Sequence, residues 1–459
     1  MCPGRYDMTK LKLLALFTVV AVGFVSGVYG VAYLGASYGA ADPASAATIS
    51  AGVETRSDMP DAATQISFWS RRVAVQPNAY LDLTLLGQAF ARRARETSDI
   101  DYYVRAESAL RRALRVNPGY VQAKAVLASV LFSVHEFEAA LATARPIVHD
   151  PRGVQALATL GDARFALGDY AGARSAYARL LAWAATPAAY SRLAALADVH
   201  GNTQQALGLM ERATRVAQDS GDYGESLAWY AYQLGELNFR AGRIDVAESH
   251  YRAALAVFPG YPLALGGLAK ARAAEGDLEA ATKLYLRATA MVPLPDLLAT
   301  LGDVYRVSGK SSLARRQYAT VQVIAKLANL KRQVYNRQLA VFYADHDLHL
   351  GSARRLALRE LRVRKDVYGY DAAGWVLSRA GRCAEALPLA RHALRLGTKD
   401  PLLYFHRGYA EGCAGNRIAM REWYARALDL NPAFSVRWAP FARVALDNAN
   451  AGDVDSGSS

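Results

Sequence analysis

Asp345, His346, Asp347 and His349 form the densest group of chemically capable side chains in this chain of 459 residues. Imidazole nitrogens and carboxylate oxygens at such short spacing suit a divalent metal. The same run falls in a turn between two helical stretches, where Asp is favoured as the N-cap of the following helix. The spacing brings in no further His or Cys to complete a ligand set. The run therefore reads as a capped turn with solvated imidazoles, and no metal or cofactor is expected. A metal-dependent or enzyme-associated role centred on Asp345–His349 is the alternative. Other catalytic signatures are absent: the chain has no GxxxxGK[ST] phosphate loop, no GxSxG elbow, no HExxH and no glycine run of the dinucleotide-binding type.

The elements that would position such groups are most legible at Trp229–Pro259, WYAYQLGELNFRAGRIDVAESHYRAALAVFP. Gly235 and Ala247 are small where two antiparallel helices approach closely, and Tyr251 fills the space between them. Gly242 stands at the turn, where positive φ is useful, and Pro259 cannot continue the second helix. The order Leu234-Gly235, Gly242, Ala247, Tyr251, Ala254, Pro259 resembles a tetratricopeptide repeat (TPR), a helix–turn–helix of about 34 residues.

The pattern recurs along the chain. Ala62–Pro77 reads as a lone capping helix. Unit one runs from Tyr80 to Pro118 with Leu86-Gly87, and unit two from Tyr120 to Pro151 with Leu127-Ala128. Units three and four carry Leu160-Gly161 with Tyr177, and Leu193-Ala194 with Gly201. Unit five is the stretch above, unit six has Leu268-Ala269 and Tyr285, and unit seven has Leu301-Gly302 and Tyr318. Unit eight is degenerate, with a lengthened turn from Asp345 to Gly351. Units nine and ten carry Gly374 and Gly408, and a last helix near Arg437–Leu446 closes the stack. The resemblance thus covers most of residues 62–446 and implies an all-α, right-handed superhelical solenoid of about ten units. The stretches FYADHD and KDVYGYDAAGWVL in units eight and nine also resemble uncharacterised bacterial multi-TPR proteins with an N-terminal membrane segment.

In a stack of this kind the first helix of each unit lines a concave groove, with inward side chains three to four residues apart. The groove candidates are Phe132, Asp162, Phe165, Trp229, Tyr232, Glu236, Phe239, Asp303, Arg306, Arg337, Tyr368, Asp371, Trp375, Phe405 and Tyr409. Aromatic residues and Arg are common anchors for peptide segments; the plainer reading is packing between neighbouring repeats. The basic clamp that some TPR domains use for C-terminal carboxylates is not matched, since Tyr232, Glu236 and Leu263 stand at the corresponding places. Cys383 and Cys413 fall on the same turn edge of adjacent units, close enough for a disulfide, or else are two separately buried thiols.

Before the repeats, residues 1–12 carry Arg5, Lys10 and Lys12, and residues 13–36 hold no charge. A helix of ~20 apolar residues crosses a bilayer core, and the basic flank places the N-terminus on the cytoplasmic side. The segment reads as an anchor, with a signal cleaved near Ala44-Ser45-Ala46 as the runner-up. Residues 37–61 read as a flexible linker, and residues 447–459 as a disordered tail. The net charge of +13 is spread over helices without a basic run, which argues against nucleic acid. Polyanion binding through that charge remains an alternative. The sequence describes a non-catalytic, membrane-anchored, extracytoplasmic scaffold that binds proteins or peptides through its groove.

Overall fold

A glycine in the first helix of a pair and a tyrosine 16 residues later recur at Gly161 and Tyr177, Gly235 and Tyr251, Gly302 and Tyr318, and Gly408 and Tyr424. A β-carbon added at any of these glycines would run into the tyrosine ring of the second helix. The missing side chain therefore sets how closely the two helices lie. The same four tyrosines are almost wholly buried except Tyr318, which is partly covered.

The computed structural model of the protein describes residues 62–97, 101–222, 224–330 and 336–456. The expected basic N-terminus, membrane segment 13–36 and linker 37–61 lie outside the described residues. Among the described residues there are 22 α-helices and no strand, and no helix is long and apolar enough to cross a membrane.

After a single helix, Ala62–Val75, the helices follow one another in pairs. They are Tyr80–Thr97 with Asp101–Val116, Val121–Ser133 with Phe137–Ala144, and Ala156–Ala166 with Tyr170–Trp183. Next come Pro187–Val199 with Thr203–Asp219, Gly224–Arg240 with Ile244–Val257, and Pro262–Ala274 with Leu278–Met291. Pro295–Val307 with Ser311–Leu330, Asn336–Asp345 with Leu350–Val363, Val367–Arg379 with Cys383–Ala393, and Pro401–Cys413 with Arg417–Leu430 complete them. A final helix spans Trp438–Ser456.

Three local features differ from the sequence reading. In the second pair the helix stops at Ala144 and gives way to a short 3-10 turn at Arg145–Ile147, because Pro146 enters before Pro151 does. The helix Leu350–Val363 begins at His349, in the left-handed conformation with φ 46°, and no side chain caps it. The expected Asp N-cap is therefore absent, and Asp345 has another task, described below. The last helix runs on to Ser456 through the stretch expected to be a disordered tail; a helix already nucleated by packing at its start extends at little further cost.

The pairs also wind back onto themselves. The carbonyl of Ala166, at the end of a first helix, accepts the backbone N–H of Lys365 at 2.8 Å. The carbonyl of Val199 accepts the hydroxyl of Thr398 at 2.5 Å, across 199 residues. The carbonyl of Phe239 accepts the side-chain amide of Asn431 at 2.7 Å, across 192 residues. Each is one of the last carbonyls of its helix, which have no partner within the helix. The linkers of the late pairs thus cap the helix ends of the early ones, and successive turns of the winding touch. Tyr170 adds a hydroxyl that accepts the backbone N–H of Val367 at 2.9 Å. Cys383 and Cys413 are joined in a disulfide, with α-carbons 5.3 Å apart, tying the ninth pair to the tenth.

Close approach of the two turns requires glycine. Gly242 has φ +75°, and a β-carbon there would lie 2.5 Å from the carbonyl oxygen of Leu430. Gly276 has the equivalent turn conformation, φ +89°, with open space around it. Gly276→Ala should lose only the cost of a left-handed alanine, ~1 kcal/mol, whereas Gly242→Ala should lose on the order of 3 kcal/mol in urea unfolding. Equal losses would mean that the two turns do not touch in solution.

Candidate functional site

The inner face of the winding is lined by the first helices, and three of its carboxylates follow one rule. The residue after the helix glycine is Asp162, Glu236 or Asp303 in the third, fifth and seventh pairs. Each accepts the hydroxyl of the tyrosine 15 residues on: Tyr177 at 2.9 Å, Tyr251 at 2.7 Å and Tyr318 at 2.8 Å. Each is also bonded to a base from the next pair. Asp162 takes the fork of Arg192 at 2.8 Å, Glu236 takes the ammonium of Lys270 at 2.8 Å, and Asp303 takes His346 Nε2 at 3.2 Å. Burial alone would raise Glu236 and Asp303, but the neighbouring cation and hydrogen bonds hold both below the usual carboxylate range. These side chains, expected at the groove, join one pair to the next.

The aromatic candidates divide in the same way. Phe132 is buried against Phe137, and Phe165 lies edge-on to Tyr170. Tyr368 is buried, and Phe239 lies under the Lys270 ammonium, 4.3 Å from the ring centre. Trp375 is stacked on His406 at 4.2 Å, and Phe405 has no exposed surface. His406 Nδ1 faces Asp371 at 2.9 Å. Tyr409 accepts a hydrogen bond from Arg379 at 2.8 Å. Arg337 is buried, 3.8 Å from Asp366, and Arg306 is exposed. Trp229 and Tyr232 keep part of their surface open.

What covers Trp375 and Phe405 is the chain itself. Trp438 packs on both rings, with centres 5.3 Å and 5.4 Å away. Its indole N–H donates to Asp345 at 3.2 Å, and the Trp375 indole donates to the same oxygen at 2.9 Å. Arg437 places a guanidinium nitrogen 3.4 Å from Asp303. Val436 packs against the cluster around Leu301 and Tyr305, and Phe434 joins the one around Trp375. Residues 434–442 therefore fill the inner face of the seventh to tenth pairs. Sequence reasoning took Trp375, Phe405 and Tyr409 as open anchors; two of them are sealed while this segment is seated.

The Asp345–His349 run does not converge. Asp345 is partly buried and accepts two indoles. His346 reaches Asp303 and the carbonyl of Phe342, Asp347 pairs with Arg379, and His349 faces Gln322 at 3.3 Å. Among the described residues no three His, Cys, Asp or Glu side chains are placed to hold a metal ion.

A residue that sequence reasoning missed stands out against these. Asp296 lies seven residues before Asp303 on the same helix, hence on the same face. No side-chain hydrogen bond or ion pair reaches its carboxylate. Burial pushes it up from the usual 3.8 to about 7, against the pull of Arg337, with Asp345 adding to the rise. The signal was present as a second acidic residue at helical spacing from Asp303.

Two profiles of the tetratricopeptide repeat match residues 185–260 and 238–320. Residues 185–320 thus match tetratricopeptide repeats. The matched span runs from the fourth pair into the seventh and includes Tyr232, Glu236 and Asp296. No curated protein matches the chain in sequence. Among solved structures, a tetratricopeptide repeat protein from Parabacteroides merdae ATCC 43184 shares 16% identity with it. That likeness covers 56% of this chain and 93% of the other, with a TM-score of 0.41. BtubC from P. vanneervenii shares 22% over 43% and 91%, with a TM-score of 0.37. The human IFIT1 dimer with m7Gppp-AAAA shares 18% over 73% and 77%, with a TM-score of 0.46. Likenesses this distant carry nothing about the function of this protein.

A partly buried carboxylate without a hydrogen-bond partner makes stability depend on pH. With its folded value raised, Asp296 holds a proton that the unfolded chain has released, so stability falls as pH rises from about 4 to about 7. Asp296→Asn should leave stability near pH 4 unchanged and raise it at pH 8 by roughly 2 kcal/mol. Some slope should persist, because burial also raises Asp345 and Asp400. Thermal melts of the two chains across this range check it; parallel curves would show that Asp296 is already ionised at no cost.

Proposed function

We propose that this chain is a non-catalytic scaffold whose ten helix pairs are all TPR units in a right-handed superhelix, binding a protein segment on the inner face of the fifth to seventh. The observation that carries this is the partly exposed surface of Trp229 and Tyr232, packed with Leu263 in a cluster that residues 434–442 do not join. Tyr232 packs against Tyr261 with centres 6.0 Å apart, so the ring is held in place before any partner arrives. Aromatic rings that are fixed and only partly covered are suited to anchoring a peptide. TPR repeats as a family support protein binding in general.

The reading extends to location. The uncharged residues 13–36, with Arg5, Lys10 and Lys12 before them, support a single anchor with the repeats outside the cytoplasm. The Cys383–Cys413 bond supports the same side, since disulfides persist in oxidising compartments. Alkaline washing of membranes should leave the full chain in the pellet and release a chain beginning at residue 37. Release of both would remove the anchor.

Binding is tested by crosslinking in intact cells and capture on the full chain. A defined protein should be recovered, and recovery should drop at least tenfold in a chain carrying Trp229→Ala and Tyr232→Ala. Trp375→Ala is unsuitable for this purpose, because that ring is buried and its loss would unsettle the fold. Full recovery by the double variant would place binding elsewhere on the molecule.

A further inference from the structure

The sealed half of the inner face is held shut by the side chains of one short segment, and each contact is one that a separate chain could make. The Arg437 guanidinium stands 3.4 Å from Asp303 of the seventh pair, and the Trp438 indole donates to Asp345 of the eighth at 3.2 Å. The Trp438 ring lies edge-on to Trp375 of the ninth pair and is stacked on Phe405 of the tenth. Four successive units thus give one contact each to an arginine and the tryptophan that follows it.

Three features set this segment apart from ordinary core. Its outer side is exposed at Pro440, Phe441, Arg443 and Val444, so it can leave without another element moving. Its arginine is poorly served. Nε is buried with no hydrogen-bond partner, and 3.4 Å is long for a charged pair, which closes to about 2.7–2.9 Å at its best. The face beneath, finally, is assembled by other means. Arg379 donates to the carbonyl of Ala344 in the eighth pair at 3.1 Å and to the Tyr409 hydroxyl in the tenth at 2.8 Å. The Cys383–Cys413 bond joins the ninth pair to the tenth. Asp303 keeps Tyr318 and His346, and Asp345 keeps the Trp375 indole. Withdrawal of the segment would uncover a surface already built, while Asn431, held to the carbonyl of Phe239 at 2.7 Å, stays as the fixed point behind it.

We propose that residues 434–442 are a tethered occupant, and that the inner face of the seventh to tenth pairs binds, once they withdraw, a segment of another protein carrying an arginine followed by a tryptophan. A partner arginine placed to form both bonds of a fork on Asp303 gains what Arg437 leaves unmade. The occupant competes at the high effective concentration of a short tether, so the native chain binds such a partner weakly until the occupant is loosened. This surface is separate from the exposed rings of Trp229 and Tyr232, and replacing those two leaves it intact.

The probe is a fluorescein-labelled peptide with the sequence of residues 431–446, titrated by anisotropy against the full chain. Trp438→Ala in the chain should tighten binding at least tenfold over the native chain. A peptide carrying Arg437→Ala and Trp438→Ala should bind that variant at least tenfold more weakly than the native peptide does. Equal affinity of the two chains, equal affinity of the two peptides, or absence of binding by both chains would each overturn the proposal. Dimerisation of the variant chain in sedimentation would do so as well, since the occupant would then be a second copy. Hydrogen exchange of the native chain gives a readout that does not depend on the variant folding. The amides of residues 442–446 should exchange at least tenfold faster than those of Pro401–Cys413; equal rates would make the segment fixed core.

Discussion

The last carbonyls of an α-helix have nowhere within the helix to bond, and this fold uses that deficit to close its winding. Ala166, Val199 and Phe239 end first helices whose carbonyls would otherwise face water. Each instead meets a donor nearly two hundred residues later, from Lys365, Thr398 and Asn431 in turn. The three contacts occupy equivalent places in consecutive pairs, so one geometric relation is repeated rather than three being found separately. Glycine at the adjoining turns lets the two backbones approach, as at Gly242 against Leu430. Arg240 reinforces the junction, 2.8 Å from Asp198 in the fourth pair and 4.0 Å from Asp400 at the start of the tenth.

Once the turns touch, the inner face is no longer an open trough, and its electrostatics follow from enclosure. The chain carries a net +13, yet many of the groups on this face are carboxylates. Where a cation or hydrogen bonds reach them, as at Glu236 and Asp303, they stay ionised. Where these are too few, burial wins and the carboxyl is pushed up, as at Asp296, Asp345 and Asp400. The excess positive charge consequently says little about what the groove prefers. Outer faces carry much of it, as Arg71, Arg174 and Arg443 do, and solvent screens it there within ~10 Å.

Most of what was legible in the sequence was local. Gly235 and Tyr251 are 16 residues apart because a helix, a turn and half a second helix bring them together, and that relation repeats wherever the motif is kept. The same logic brought Cys383 and Cys413 to one edge of neighbouring units but left open whether they are bonded, which the structure shows they are. The carboxylates at the position after the glycine could also have been assigned to packing, because a tyrosine at +15 and a base in the next unit accompany each. The contacts between turns could not. Thr398 and Val199 are joined by a hydroxyl across 199 residues, and nothing in the residues near either marks the other. Asp345 was misread for a related reason. Its place in a turn suggested an N-cap, while the indoles that claim it come from Trp375 in the next unit and from Trp438 far beyond.

The division of the inner face is the consequence that bears on function. From the seventh to the tenth pair it is sealed by the chain's own residues, and Trp438 alone contacts rings from two first helices and a carboxylate from a third. A segment so placed both completes the core and displays, in covalent form, the contacts that the face makes with arginine and indole. In the fifth and sixth pairs, Tyr232 is held against Tyr261 and both it and Trp229 keep part of their surface exposed. Rings already held in place by their neighbours lose little freedom when another surface covers them, whereas the sealed half of the face can receive nothing until residues 434–442 withdraw.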